Sequence, residues 1–151
     1  MIHTYSNWWI NSAVVIATIL TIVLCVLLHF EGLVFVSRKL PRINTPARVK
    51  VIFVIGAILA LHVTEIWIFG VIEWLLLGLP DSGALAGQTH WHLFDVIYLS
   101  AITFTTVGYG DLTPNGPIRF MLGTEALTGF VLITWSASFT YLEMERLWRK
   151  P

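Results

Sequence analysis

The chain has 151 residues, of which 56% are hydrophobic and 12% are charged, and its formal net charge at pH 7 is zero. Soluble domains average about 25% charged residues, so this composition excludes an ordinary soluble domain and indicates a membrane protein. A neutral chain also lacks the basic surface that nucleic-acid binding requires. We therefore expect the lipid bilayer, and no nucleic acid, as its partner. The single cysteine, Cys25, cannot form a disulfide within the chain.

Three apolar runs are long enough to cross a bilayer, which takes about 20 residues of helix. They cover residues 12–30, 51–79 and 118–142. A fourth run, residues 93–104, is too short to span and is typical of a helix that enters the membrane and stops part-way. We predict an all-α membrane protein with three transmembrane helices plus a re-entrant pore helix.

Basic residues are concentrated on one side of this arrangement. Five of the nine Lys and Arg residues lie within residues 37–50, and three follow residue 142. Basic loops stay in the cytoplasm. The pattern therefore predicts a multi-pass protein of the plasma (inner) membrane with its N-terminus outside and its C-terminus in the cytoplasm. Residues 80–117 are then outside.

The short run leads into residues 105–111, with the sequence TTVGYGD. A chain that enters the membrane as a short helix has to return without one, and non-helical backbone at that depth is tolerated only where it is buried in protein or lines a watery cavity. Gly108 and Gly110 can adopt left-handed backbone angles without steric cost. Because they alternate with Val107 and Tyr109, successive carbonyl oxygens can turn toward one axis. A column of such oxygens replaces the hydration water of a cation.

This heptapeptide resembles the selectivity filter of potassium channels. The resemblance implies that backbone carbonyls and one threonine hydroxyl coordinate dehydrated K+, and the residues concerned are Thr106, Val107, Gly108 and Tyr109. It also implies a homotetramer, because a complete filter takes four such loops and this chain has one. K+ is then the permeant ion, and no cofactor and no catalytic residue are implied.

The resemblance extends beyond the filter. Residues 51–142 follow the order of the two-helix potassium channel pore domain, which is outer helix, pore helix, filter and inner helix. Residues 1–50 add an N-terminal transmembrane helix and a basic cytoplasmic loop, and residues 143–151 form a short cytoplasmic tail. The whole chain resembles small prokaryotic three-span proteins of the ion-channel class. Glu65 in the middle helix, and the EALTG and WS segments of the last helix, match their pattern.

Residues next to the filter are expected to support it. They are Thr105, Gly110, Asp111 and, on the pore helix, Tyr98. The resemblance implies that partners hold Asp111 behind the filter, and the Tyr98 hydroxyl is placed to be one of them. Some relatives carry a glutamate where this chain has Ile102, so that carboxylate partner is absent. The alternative for Asp111 is a solvated charge at the outer mouth that attracts cations.

Gly129 lies in the middle of the last span, where glycine costs about 1 kcal/mol relative to alanine. Alignment with the inner helix of potassium channels puts it at the gating hinge, and close helix packing is an equally good reason for a small residue there. In the same register Phe130, Ile133 and Ala137 line the central cavity. That lining is apolar, and an apolar constriction can gate by dewetting.

Ionisable residues within apolar spans are costly in lipid, so they mark functional or structural sites. We predict a buried polar cluster made of His29, His62, Glu65 and Glu125. It has three interpretations: a proton-sensitive latch, since histidine titrates near physiological pH, a set of hydrogen bonds that fixes helix packing, or a metal site, for which the spacing is not diagnostic. Glu125 either packs behind the pore helix near Thr103 or faces the ion path.

These observations predict a passive potassium-selective channel rather than an enzyme. Two alternatives are a less selective cation channel and a non-conducting membrane sensor of protons or metal ions built on a pore fold. No span carries arginines at every third position, which excludes a voltage sensor of that kind. We also expect no built-in ligand-binding domain, because too few residues follow residue 142.

Overall fold

The structure is a computed structural model that describes residues 7–42, 44–87 and 91–149. Its elements, in chain order, are α1 (Trp8–Lys39), a 3-10 turn (Leu40–Arg42), α2 (Ala47–Leu77), β1 (Ala84–Ala86), α3 (Leu93–Phe104), β2 (Thr113–Asn115) and α4 (Arg119–Trp148). Helices α1, α2 and α4 are each long and apolar enough to cross a membrane, and α3 is a shorter apolar helix. The predicted helical membrane fold is confirmed.

The first spanning helix is longer than its apolar run. α1 begins at Trp8 and ends at Lys39, whereas the prediction ended the span at Phe30 and placed Arg38 in a loop. Arg38 and Lys39 instead form the last turn of α1, where basic side chains interact favourably with the partial negative charge of a helix C-terminus. Hydropathy locates only the part of a helix that lies in lipid, so it misses polar ends that continue into water.

The last helix also continues past its predicted end. α4 ends at Trp148, so most of the predicted cytoplasmic tail is helical. Two ion pairs at helical spacing stabilise this part: Arg146 lies 2.9 Å from Glu143, and Arg149 lies 2.7 Å from Glu145. Side chains three or four residues apart are neighbours on a helix surface, so oppositely charged pairs stabilise the helix. They can therefore continue a helix beyond the end of its apolar run.

The short helix α3 packs between α2 and α4. Gly70 on α2 permits the close approach, because a Cβ there would lie 2.6 Å from Ile97 Cδ1 and 3.0 Å from Ile97 Cα. At the C-terminal end of α3 the buried Phe104 ring packs on the Phe69 ring, with centroids 6.3 Å apart. α3 therefore has a fixed position and direction relative to the spanning helices.

The N-terminal helix α1 packs against both α2 and α4. Its buried residues recur every three or four positions along one face and include Val14, Thr18, Thr21, Cys25, His29, Leu33 and Val36. The Thr18 and Thr21 hydroxyls donate to carbonyl oxygens of α1 itself, those of Val14 and Ala17. These two polar groups are satisfied locally, whereas His29 reaches the neighbouring helices.

A two-stranded antiparallel ribbon joins the loops on either side of α3. β1 pairs with β2 in the register Ala84–Asn115, Leu85–Pro114 and Ala86–Thr113. Strands are not predicted here from the sequence, because strands of three residues carry no periodicity to read. Gly87, with a φ of +119°, allows the chains to meet, since a Cβ there would collide with the Asp111 carbonyl oxygen. The ribbon thus anchors the chain directly after residues 105–111.

Candidate ion-conduction site

The chain leaves α3 while still hydrogen-bonded to it. The amide and the hydroxyl of Thr105 both lie within hydrogen-bond distance of the Ala101 carbonyl oxygen, at 3.2 Å and 2.7 Å. Further on, the Gly108 amide donates to the Ile102 carbonyl oxygen at 3.0 Å. The last turn of α3 therefore accepts hydrogen bonds from the non-helical segment and holds it in place.

The backbone of this segment reverses its handedness at every second residue. The angle φ is +60° at Thr106, +54° at Gly108 and +81° at Gly110, while Val107 and Tyr109 between them do not have positive φ. The two glycines thus adopt the left-handed angles expected from the sequence. Alternation of this kind turns successive carbonyl groups toward one side of the chain.

The left-handed angle at Thr106 is not predicted from the sequence. Threonine is β-branched, and a positive φ is unfavourable for such a residue. The Thr106 amide donates to the Thr103 carbonyl oxygen at 2.9 Å, so contact with α3 supports the unfavourable angle. Strained backbone of this kind is concentrated at functional sites. No signal in the sequence marks it, because the angle depends on hydrogen bonds to a neighbouring helix.

The candidate coordinating oxygens are available to a ligand. No backbone amide in the described part of the chain donates to the carbonyls of Thr106, Val107, Gly108 or Tyr109. All of residues 105–111 are exposed, with 53% of the Val107 surface and 73% of the Tyr109 surface accessible. Helix α3 ends next to them, and its C-terminal partial negative charge favours a cation nearby.

Tyr98 and Asp111, which are predicted partners, lie next to each other. Desolvation and a hydrogen bond to the Asp111 side chain raise the pKa of the Tyr98 phenol. The phenol and the carboxylate therefore interact across the gap between α3 and the end of segment 105–111. This contact joins one side of α3 to the end of the segment that α3 supports.

Gly129 packs directly against the end of α3. A Cβ at this position would collide with the Phe104 carbonyl oxygen and lie 2.7 Å from the carbonyl carbon. Small residues allow this kind of close approach between helices in membranes. The geometry accounts for the glycine by packing, the second of the two reasons considered from the sequence.

The three candidate cavity residues lie on α4 next to Gly129. Phe130 is 57% exposed. Ile133 and Ala137 line an open groove between α2 and α4, together with His62. Their position relative to a central cavity depends on several chains, so the expectation that they line one stays a prediction.

Three of the predicted cluster residues meet between α1 and α2. His29 Nδ1 lies 2.8 Å from Glu65 Oε1, and His62 Nδ1 lies 2.9 Å from Glu65 Oε2. On its other side His29 Nε2 lies 3.3 Å from Ser136 Oγ on α4. His29 and Glu65 are fully buried. The Glu65 carboxylate thus contacts α1, and His29 extends the group to α4. Ser136 is an additional member that is not predicted from the sequence.

Glu125 does not join that group, so the predicted four-residue cluster was wrong in this respect. It lies behind α3 beside Ser100, whose hydroxyl oxygen is 2.5 Å from Glu125 Oε1 and 2.9 Å from the Ile66 carbonyl oxygen. The fully buried Glu73 faces the same place. Which polar residues meet depends on the rotation of each helix about its axis. Packing sets that rotation, so the helical period alone does not separate the two groups.

Replacing Ser100 with alanine is expected to lower the free energy of unfolding by about 1–3 kcal/mol, because a buried carboxyl group loses its hydrogen bond. Thermal unfolding of the purified protein in detergent measures the change. The matched control is Ser138→Ala on α4, since Ser138 is exposed and its hydroxyl donates to the Thr134 carbonyl oxygen of its own helix. Equal melting temperatures for the two variants would contradict the role given to Ser100.

Comparison of the sequence with known proteins identifies relatives and a family. Two curated relatives are similar over short stretches, and both are called Protein LctB. That of Geobacillus stearothermophilus is 36% identical over 67 residues, which is 44% of this chain and 50% of the relative. That of Bacillus caldotenax is 48% identical over 40 residues, which is 26% of this chain and 30% of the relative. The chain therefore spans half or less of the length of these relatives, whose names state no activity.

No solved structure matches the chain significantly. The family model described as Ion channel matches residues 51–144. That region is more than half of the chain, and it contains α3, the exposed segment 105–111 and nearly all of α2 and α4. By this match, over the same elements that build the candidate site, the chain belongs to the ion-channel family.

Proposed function

We propose that this chain forms a homotetrameric channel that conducts K+ passively and selectively across the membrane. The observation that carries the proposal is the alternating backbone after α3, with positive φ at Thr106, Gly108 and Gly110. In an ion-channel protein, rows of backbone carbonyls of this kind replace the hydration shell of K+. The proposed coordinating groups are the carbonyls of Thr106, Val107, Gly108 and Tyr109 and the Thr106 hydroxyl.

A single chain supplies only one wall of such a site. Residues 105–111 lie on the surface of the chain, and the carbonyls on one wall leave most of the coordination shell of an ion empty. Four copies around one axis would enclose the ion. Helix α4 also exposes large apolar side chains, such as Leu127, Phe130 and Val131, and an assembly would bury part of this surface.

Passive conduction needs no chemical step. A monovalent cation that moves down a membrane potential of about 100 mV releases about 2.3 kcal/mol of free energy. The protein has to offset the free energy that K+ loses when it sheds its hydration water, and exposed carbonyl oxygens do so by coordinating the ion. The proposal therefore assigns neither a catalytic residue nor a cofactor.

Charge at the helix ends supports one orientation. α1 carries Arg38 and Lys39 in its last turn, and α4 carries Arg146 in its last turn. Because cytoplasmic segments are enriched in basic residues, we place both of these ends in the cytoplasm. The ribbon and the far end of the filter then face the outside of the plasma (inner) membrane.

Ion flux into liposomes that contain the purified protein tests the proposal. We expect K+ flux to exceed Na+ flux by at least an order of magnitude, with protein-free liposomes as the baseline. Equal fluxes of the two ions would replace the proposal with a less selective cation channel. The absence of any flux above the baseline would favour a non-conducting sensor built on a pore fold.

A further inference from the structure

The group formed by His29, His62 and Glu65 is more than a set of hydrogen bonds. One ligand atom from each residue, a ring nitrogen of each histidine and a Glu65 carboxylate oxygen, lies within 4.8 Å of the other two. His29 comes from α1, and His62 and Glu65 come from adjacent turns of α2. Both imidazoles direct the same nitrogen at the same carboxylate, which is an arrangement that a single ion can occupy.

The surroundings leave Glu65 without a basic partner other than the two histidines. In residues 7–42, 44–87 and 91–149, every Lys and Arg lies at a helix end or in a connecting loop: Arg38, Lys39, Arg42, Arg48, Lys50, Arg119, Arg146 and Arg149. Glu65 lies deep within α2 and its side chain is fully buried. A carboxylate in the middle of a spanning helix is costly unless a positive charge compensates it. A cation held by all three side chains would supply that charge.

We propose that His29, His62 and Glu65 bind one divalent transition-metal ion of the Zn²⁺ type. Two imidazole nitrogens and one carboxylate oxygen are ligands that Zn²⁺ accepts, and imidazole favours transition metals over Mg²⁺ or Ca²⁺. Ligands about 2.0–2.2 Å from a tetrahedral zinc ion are about 3.3 Å apart. The two N–O separations of 2.8 Å and 2.9 Å would widen by about half an ångström, and the two ring nitrogens, which lie within 4.8 Å of each other, would move to the same spacing.

Ser136 completes the arrangement from α4. When Nδ1 of His29 binds a metal ion, its Nε2 carries the proton, and Ser136 Oγ lies 3.3 Å away as the acceptor. Histidine ligands of metal ions generally donate their second ring N–H in this way, which fixes the tautomer and the ring orientation. Ser136 is therefore a positioning residue and not a ligand.

An access path and a structural consequence follow from the same geometry. His62 is 14% exposed and lines the groove between α2 and α4, whose volume is about 210 Å³. The group is therefore open to this groove on the side of His62 and Ser136. A bound metal ion clamps α1 to α2 close to the pore helix, because the His62 ring lies 5.9 Å from the Phe104 ring.

Metal binding by the full-length protein tests the proposal without reference to ion conduction. Chelator-treated protein is incubated with Zn²⁺, and the bound metal is counted by mass spectrometry and titrated by calorimetry. We expect one zinc ion per chain in the wild-type protein and in His92→Gln, a control at an exposed histidine outside the group. The His29→Gln and His62→Gln variants should lose it, and Ser136→Ala should bind about 10–100-fold more weakly.

Two results would overturn the proposal. The first is wild-type protein that holds no stoichiometric Zn²⁺. The second is metal that stays bound in both His29→Gln and His62→Gln. If His29→Gln does not fold, the partly exposed His62 provides the same comparison. A failure to bind Zn²⁺ leaves the K+ flux result unaffected, so the two proposals are tested separately.

Discussion

Replacing Gly108 with alanine is expected to abolish K+ flux. Gly108 has a φ of +54°. For a residue with a Cβ, left-handed backbone angles cost about 1–2 kcal/mol of conformational free energy. No atom outside its immediate neighbours lies within 4 Å of a Cβ built at Gly108, so the backbone angle and not crowding requires glycine. An alanine that relaxes to negative φ would turn the adjacent carbonyls and strain the bond from the Gly108 amide to Ile102. Four copies in a tetramer would multiply the effect.

Flux into liposomes, measured beside Gly56→Ala, checks this expectation. Gly56 lies in α2, is exposed and also has open space around it, so alanine there should leave flux unchanged and raise stability by about 1 kcal/mol. Size-exclusion chromatography verifies that both variants assemble like the wild type. If Gly108→Ala conducts K+ at the wild-type rate, then the ion path does not run along residues 105–111.

Replacing Gly129 with alanine is expected to destabilise the protein strongly. The new Cβ would collide with the Phe104 carbonyl oxygen, and the Phe104 ring carbon Cγ lies 2.8 Å from the same position. Backbone and a buried aromatic ring cannot yield as a flexible side chain can. Overpacking of this kind costs about 1–3 kcal/mol or more, and it would move the end of α3 to which residues 105–111 are hydrogen-bonded. We expect a lower melting temperature together with reduced flux.

This variant separates packing from a hinge. If Gly129 served only as a point of bending, alanine would change the opening of the channel and leave the melting temperature close to that of wild type. The Gly56→Ala variant again supplies the control for a glycine-to-alanine change inside a helix. A Gly129→Ala protein with unchanged melting temperature and altered flux would contradict the packing role.

Much of the fold could be predicted because its signals are local. Lipid requires continuous apolar helices, and that requirement alone locates α1, α2 and α4 and shows that residues 93–104 are too short to span. The candidate filter could also be located from the sequence, because its residues are consecutive in the chain and glycines at alternate positions are a distinctive pattern. The prediction of the helix ends was less accurate, because ion pairs such as that between Arg146 and Glu143 extend α4 beyond its apolar run.

Contacts between distant residues had to come from the three-dimensional structure. His29 and Ser136 are 107 positions apart and still meet, while Glu125 turns away from them toward Ser100. Both outcomes depend on how each helix is rotated in the packed bundle.

The sequence by itself determined the membrane class, the number of spanning helices and the position of the candidate filter, since each follows from the chemistry of neighbouring residues. Only the tertiary structure decided the left-handed angle at Thr106 and the division of the buried polar residues into two groups. The physical reason is the same in both cases. A hydrogen bond or a close contact across elements compensates for a locally unfavourable angle or charge, and no single segment contains both partners.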